Sequence, residues 1–288
     1  MKLNGLSKEP GLGLKTIQLV LLTIVSALIS LLLSSLITGG DLSRISAIKT
    51  AQFLQSVGLF VIPPLLLAFF WSSQPFTYLR INRLPSFKSA IFAIIVMIAA
   101  IPAINFLGEL NHAVRFPDYL SFLEKYMMEM EAKAEELTHK MLAVSTLPDL
   151  LINIGLIAVI PAVGEELFFR GIIQRMLQDK LKMHMAVWIT AFIFSSIHFQ
   201  FYGFIPRLLM GAFLGYLYVW TNNLWVPILA HFTNNALAVV FFYLKNTGQT
   251  KVDLENIGNS ETYMAGMISL LTVAVLICFF RPKISVSS

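Results

Sequence analysis

Charged side chains are what this sequence has least of. Only 13% of its 288 residues are Asp, Glu, Lys or Arg, while 57% are hydrophobic; an ordinary soluble domain carries roughly 25% charged residues. A large soluble enzyme cannot hide that much apolar surface, so the composition points to lipid as the solvent. Cysteine is almost absent too: Cys278 stands alone, which excludes a disulfide framework and any cysteine-based metal site. No Lys/Arg cluster interleaved with aromatics occurs, so the formal charge of +5 is no nucleic-acid signature. The helix motif His-Glu-x-x-His and the elbow Gly-x-Ser-x-Gly are both missing, which sets aside two familiar soluble hydrolase designs. Internal repeats and low-complexity linkers are lacking as well.

What the chain does have is long apolar blocks. Eight can be marked, at roughly 16–37, 52–71, 88–108, 149–169, 185–202, 206–221, 224–243 and 262–280, each comparable with the ~20 residues a spanning helix needs. The expected fold is therefore all-α, a polytopic membrane bundle of about eight transmembrane helices forming a single membrane domain over 1–288. The first block is too long for a signal-peptide core and reads as a retained span. Lys2, Lys8 and Lys15, then Arg80, Arg83 and Lys88, then Arg175, Lys180 and Lys182, and finally Arg281 and Lys283 fall on one side if every block crosses. By the positive-inside rule that side is cytoplasmic, placing both termini inside, as in a bacterial inner membrane.

The opposite side receives the acidic segment 109–148. Within it Leu120, Leu123, Met127, Met130, Ala134, Leu137 and Met141 recur at alternating three- and four-residue steps, an apolar stripe that predicts an amphipathic surface helix over 117–142. Packing against the bundle is the simplest role for it; the sharper one is a lid or a partner-binding helix. Pro63–Pro64, Pro102, Pro161 and Pro227 lie inside spans, where each removes a helix hydrogen bond and predicts a kink. Gly211 and Gly215 form a small-xxx-small face suited to close helix packing.

Ionisable groups inside apolar spans are costly unless paired or hydrated, so each is a candidate for function. In Gly164-Glu165-Glu166-Leu167-Phe168-Phe169-Arg170, Glu166 and Arg170 are four apart and share a helix face, so they can pair. Glu165 points about 100° away and is left to act as a general base; the plain alternative is an interfacial cluster that merely satisfies Arg170. In Phe194-Ser195-Ser196-Ile197-His198 a histidine sits in an otherwise apolar block, suited to catalysis or to interhelical bonding. In His231-Phe232-Thr233-Asn234-Asn235 an imidazole and an amide four apart can enter one cavity, where both suit a developing oxyanion. Asn234 lies on another face.

Taken together, Glu165-Glu166-x-x-x-Arg170, Phe194-x-x-x-His198 and His231-x-x-x-Asn235 resemble the three motifs of the CAAX-protease and bacteriocin-processing (CPBP, or Abi) membrane family. The likeness runs through about 160–240 and takes in Gly211-Ala-Phe-Leu-Gly-Tyr-Leu and Leu224-Trp-Val-Pro-Ile-Leu-Ala-His; it suggests a catalytic core over 145–245. It implies an eight-span intramembrane endopeptidase acting on a peptide or protein substrate at the bilayer, with cleavage expected near the cytoplasmic surface. Carried over, Glu165 and His198 would activate the water, His231 and Asn235 would stabilise the oxyanion, and Glu166 with Arg170 would support the site. Two accounts of the water stay open. Glu165, His198 and His231 form a plausible zinc set with water in the fourth position, whereas the favoured reading requires no cofactor. Two other function classes compete: a non-catalytic scaffold or bacteriocin-immunity-type binding protein, and an ion or proton pathway. The pathway calls for polar residues spread through many spans, and the first three spans are nearly bare.

Overall fold

The structure, a computed structural model, describes residues 10–280. Lys2, Lys8, Arg281, Lys283 and the two termini, to which an orientation was assigned above, lie outside the described residues. The chain is an all-α polytopic membrane bundle. We number its principal helices α1 (Leu12–Thr38), α2 (Ile45–Trp71), α3 (Phe87–His112), α4 (Ser121–Leu142), α5 (Leu147–Gln178), α6 (Met183–Ser196), α7 (Phe204–Thr221), α8 (Trp225–Asn246) and α9 (Tyr263–Phe280). Among the described residues seven of these are long and apolar enough to cross a membrane; α4 is too polar and α6 too short.

Three helix ends differ from the hydropathy reading, the first being the start of α2 at Ile45 where 52 was expected. The fourth block, expected to stop near 169, continues to Gln178. Arg170 does not end it because that guanidinium is fully buried and paired inside the bundle. The fifth block, expected to reach 202, stops at Ser196 after 14 residues, about 21 Å of helix against the ~30 Å of a hydrocarbon core. His198 thus lies just past a helix end.

Prolines act as expected in part. Wide π-helical turns at Val57–Val61 and Ile154–Val159 immediately precede Pro63–Pro64 and Pro161, where the ring removes a backbone donor. A third such stretch, Leu167–Gln174, contains Arg170 and has no proline. Pro227, in contrast, occupies the first turn of α8. Amides there have no intrahelical acceptor, so it costs no hydrogen bond.

The basic segments meet at one end. Lys15 pairs with Asp179 at 3.3 Å, Trp71 donates to Gln18 at 2.7 Å, and Arg175 donates to the carbonyl of Tyr78. The turn before α8 is bonded to the segment after α2, Leu224 N donating to the Arg80 carbonyl. Further along, Arg170 donates to the carbonyl of Gly211 and Gln174 to that of Gly215. Both steps advance by four residues in the same sense, so α5 and α7 run parallel there, and the short α6 returns the chain between them.

At the other end α4 packs through part of the apolar stripe, Met127, Ala134 and Met141, together with acidic residues beside it. Glu124, Met127, Glu131 and Ala134 are its less exposed positions, leading to buried Met141, whereas Leu123, Met130 and Leu137 are exposed at 36%, 37% and 41%. The reason is polar: Tyr202 donates its backbone amide to Glu131 and its hydroxyl to Glu124, each at 3.1 Å.

Candidate active site

Glu166, Arg170 and Gln174 occupy every fourth position of α5, and all three are fully buried. Charges of that kind persist in a low-dielectric interior only when each has a partner. Arg170 Nη1 donates to Glu166 Oε1 at 2.6 Å and Nη2 to the Gly211 carbonyl at 2.7 Å. Its guanidinium also lies over the Phe194 ring, 4.9 Å from the centroid. Glycine at 211 permits this close approach: a Cβ there would stand 3.1 Å from the Phe194 ring and 3.3 Å from Ala191. The small-residue face of α7 thus serves packing and also presents its carbonyls to α5.

His231, on α8, completes the cluster. Its Nδ1 is 3.0 Å from Glu166 Oε1, and an ionised carboxylate can only accept, so Nδ1 carries a proton. The other nitrogen, Nε2, faces Glu165 Oε2 at 3.9 Å, too far for a direct hydrogen bond. Glu165 keeps 14% of its side-chain surface, whereas Glu166 keeps none. Of the two adjacent carboxylates, then, one is held through Oε1 by both Arg170 and His231, with its Oε2 buried and unbonded, and the other is left facing an imidazole.

His198 stands one ring away. Its Nδ1 bonds the Phe194 carbonyl at 2.7 Å, and Phe194 lies edge-on to it and to His231, with centroid separations of 5.0 and 6.2 Å. Phe194 therefore touches Arg170, His198 and His231 from a position 1% exposed, which gives that motif residue a physical role. Asn235 is held differently: its amide donates to the Ile157 carbonyl at 3.3 Å and its oxygen accepts from Asn234 at 3.1 Å. So Glu165, Glu166, Arg170 and His231 come into contact, His198 joins through Phe194, and Asn235 is tied to α5 further along.

No three His, Cys, Asp or Glu side chains among the described residues are grouped so as to hold a metal ion. Glu165, His198 and His231 do not form a ligand set in this arrangement.

Residues that the motifs did not single out complete the surroundings. A cavity of about 530 Å³ is lined by Glu131, Tyr202, Arg207, Met210 and Asn234, the last next to Asn235 in sequence. It lies toward the end opposite the basic loops, with Glu109 and Glu255 on its walls; the expected approach from the cytoplasmic surface would be from the other end. Arg207 donates to Gln200 Oε1 at 2.6 Å. It is an ionisable residue in an apolar helix, so the rule that exposed Glu165 would have found it too.

Comparison with known proteins bears on this part of the chain. Residues 147–237 match the family described as type II CAAX prenyl endopeptidase Rce1-like, a stretch that contains all three motifs but less than half of the chain. Two proteins of Bacillus subtilis (strain 168) are similar. The uncharacterized protein YpbD is 35% identical over 80 residues, covering 26% of this chain and 38% of that protein. YdiL, provisionally named as a membrane peptidase, is 31% identical over 83 residues, covering 29% of this chain and 34% of its own length. The chain thus spans well under half the length of either relative. No solved structure matches.

Proposed function

We propose that this chain is an intramembrane endopeptidase that hydrolyses peptide bonds with a water activated by glutamate and histidine. The observation carrying the reading is the unequal treatment of Glu165 and Glu166. Glu166 is locked between Arg170 and His231 at 2.6 and 3.0 Å, while Glu165 faces the remaining nitrogen of the same imidazole. Glu165 Oε2 and His231 Nε2 stand 3.9 Å apart, close enough to pass a proton through one bridging water. Such a pair can take a proton from water and give it back.

In this mechanism Glu165, assisted by His198, removes a proton as the water oxygen bonds to the scissile carbonyl carbon. The tetrahedral oxyanion accepts hydrogen bonds from His231 and Asn235. Collapse breaks the C–N bond, and the proton held by Glu165 passes to the leaving nitrogen. Glu166 and Arg170 position His231 without touching substrate. The Rce1-like match over 147–237 and the name of YdiL support the reaction class, and 145–245 is the catalytic core of one membrane domain over 1–288. With the basic end facing the cytoplasm of a cell membrane, and both termini there, the peptide enters from the opposite side through the cavity lined by Glu131 and Arg207.

Purified protein in nanodiscs, incubated with a peptide library and read by mass spectrometry, tests this. Glu165→Gln should lower cleavage by roughly 10²–10⁴-fold with an unchanged thermal unfolding midpoint. Cleavage at the wild-type rate by that variant would sink the mechanism.

A further inference from the structure

At the basic end of the bundle a separate cavity of about 500 Å³ is lined by three arginines, Arg80, Arg83 and Arg175, together with hydroxyl and amide side chains. No Asp or Glu is among its lining residues. Among the described residues none of the three arginines makes a salt bridge, although Lys15, Arg44, Arg115, Lys140, Arg170 and Lys245 all do. Their partners are neutral: Arg80 lies over the Tyr218 ring at 4.7 Å, and Arg175 lies over Tyr78 at 3.9 Å while donating to its carbonyl. A ring face orients a guanidinium without using up its N–H donors. Three cations are thus gathered round one space with no counter-charge.

The walls are held in place by bonds between two segments distant in sequence. Leu224 N donates to the Arg80 carbonyl at 3.1 Å, Asn223 Nδ2 to the Arg83 carbonyl at 2.9 Å, and Trp225 Nε1 to the Ile81 carbonyl at 3.1 Å. Arg80 itself adopts a φ of 57°, a left-handed conformation uncommon for a residue with a side chain, at the point where these bonds converge. Ser86 and Ser89 also line the cavity, and Ser86 caps the 26-residue helix α3 by accepting from the Ser89 amide. The positive end of that helix therefore adds to the field of the arginines.

Forked guanidiniums, hydroxyls and a helix N-terminus are the donor set for a phosphate oxyanion. Apolar side chains flank it: Leu84, which lines the cavity, is 85% exposed, and Phe87, where α3 begins, is 81% exposed. A free phosphate ion would make no use of them, whereas a phosphodiester with acyl chains would. We infer that this cavity binds the phosphate of an anionic phospholipid headgroup at the membrane surface. The inference is independent of the peptidase reading.

The test uses the full chain, delipidated in nonionic detergent, titrated at about 150 mM salt with phosphatidylglycerol or phosphatidylcholine and read by native mass spectrometry. Phosphatidylglycerol should bind clearly more tightly than phosphatidylcholine. Arg83→Gln should weaken it about 5-fold, the value of one cation at a lipid surface. Lys180→Gln removes the same charge at the same end, outside the cavity, and should change binding by less than about 2-fold. Arg83→Glu, a reversal at the same exposed position, should weaken binding further. Equal losses for Arg83→Gln and Lys180→Gln, or no preference between the two lipids, would overturn the site. Displacement of bound phosphatidylglycerol by an equal concentration of inorganic phosphate would overturn the lipid source; its failure to displace supports it.

Discussion

Helices α1 and α5 each bury a polar residue at every fourth position, to opposite ends. In α1 the buried polar run is Ser26, Ser30, Ser34 and Thr38; in α5 it is Glu166, Arg170 and Gln174. The hydroxyl of Thr38 donates to the carbonyl of Ser34 within its own helix, and the importance of Ser30 is its size. Gly58 on α2 comes so close that a Cβ there would lie 1.8 Å from the Ser30 hydroxyl oxygen. The other side of α1 is apolar and exposed, with Leu28 at 60% and Leu36 at 70%. In α5 the side chains are long and reach outward, to the Gly211 and Gly215 carbonyls on α7 and, through Glu166, to His231 on α8. A four-residue polar repeat in a span marks an inward face; the reach of the side chains decides whether that face serves close packing or charge.

Three substitutions, with a fourth as control, sharpen or break this contrast. The largest effect belongs to α5: Glu166→Gln strips the fully buried Arg170 of its carboxylate and should destabilise the fold by about 3–5 kcal/mol. Thermal unfolding in detergent measures it, and an unfolding midpoint equal to wild type would mean that the pair does not bind the helices together. Next comes the packing of α1 on α2. Gly58→Val places bulk against Ser30 and should cost about 1–3 kcal/mol, while Gly108→Val, where a Cβ meets nothing within 4 Å, should cost clearly less; similar losses at both sites would remove close approach as the explanation. The smallest effect is Ser34→Ala, expected within about 0.5 kcal/mol because the residue stays small. A loss above about 1 kcal/mol would show the α1 hydroxyls to be interhelical bonds after all.

Much of this molecule was legible residue by residue. Seven of the eight apolar blocks are helices able to span, and the fifth is the short α6, because hydropathy is a local property; the four-residue spacing of Glu166 and Arg170 predicted the pair seen at 2.6 Å. Helix ends were harder to read. Arg170 looked like a boundary because a lone guanidinium belongs in water; its burial depends on Gly211 and Phe194, which come from other helices. The acidic half of the inward face of α4 was equally hidden, since the bonds of Tyr202 to Glu124 and Glu131 join residues more than 70 positions apart.

The opposition between Glu165 and Glu166 shows where the division falls. Sequence alone determined that this is an all-α membrane chain with too few charges for water, and that three polar motifs stand in the C-terminal half. Those are consequences of composition and of the 3.6-residue repeat. The four-residue spacing already assigned Glu166 to Arg170; only the tertiary structure brought His231 to that pair and turned its other nitrogen toward Glu165. It also placed His198 behind Phe194 and Arg207 beside a cavity. Hydrogen bonds and desolvation act over a few ångströms between helices that neighbour one another in space, and a linear order of residues does not specify those distances.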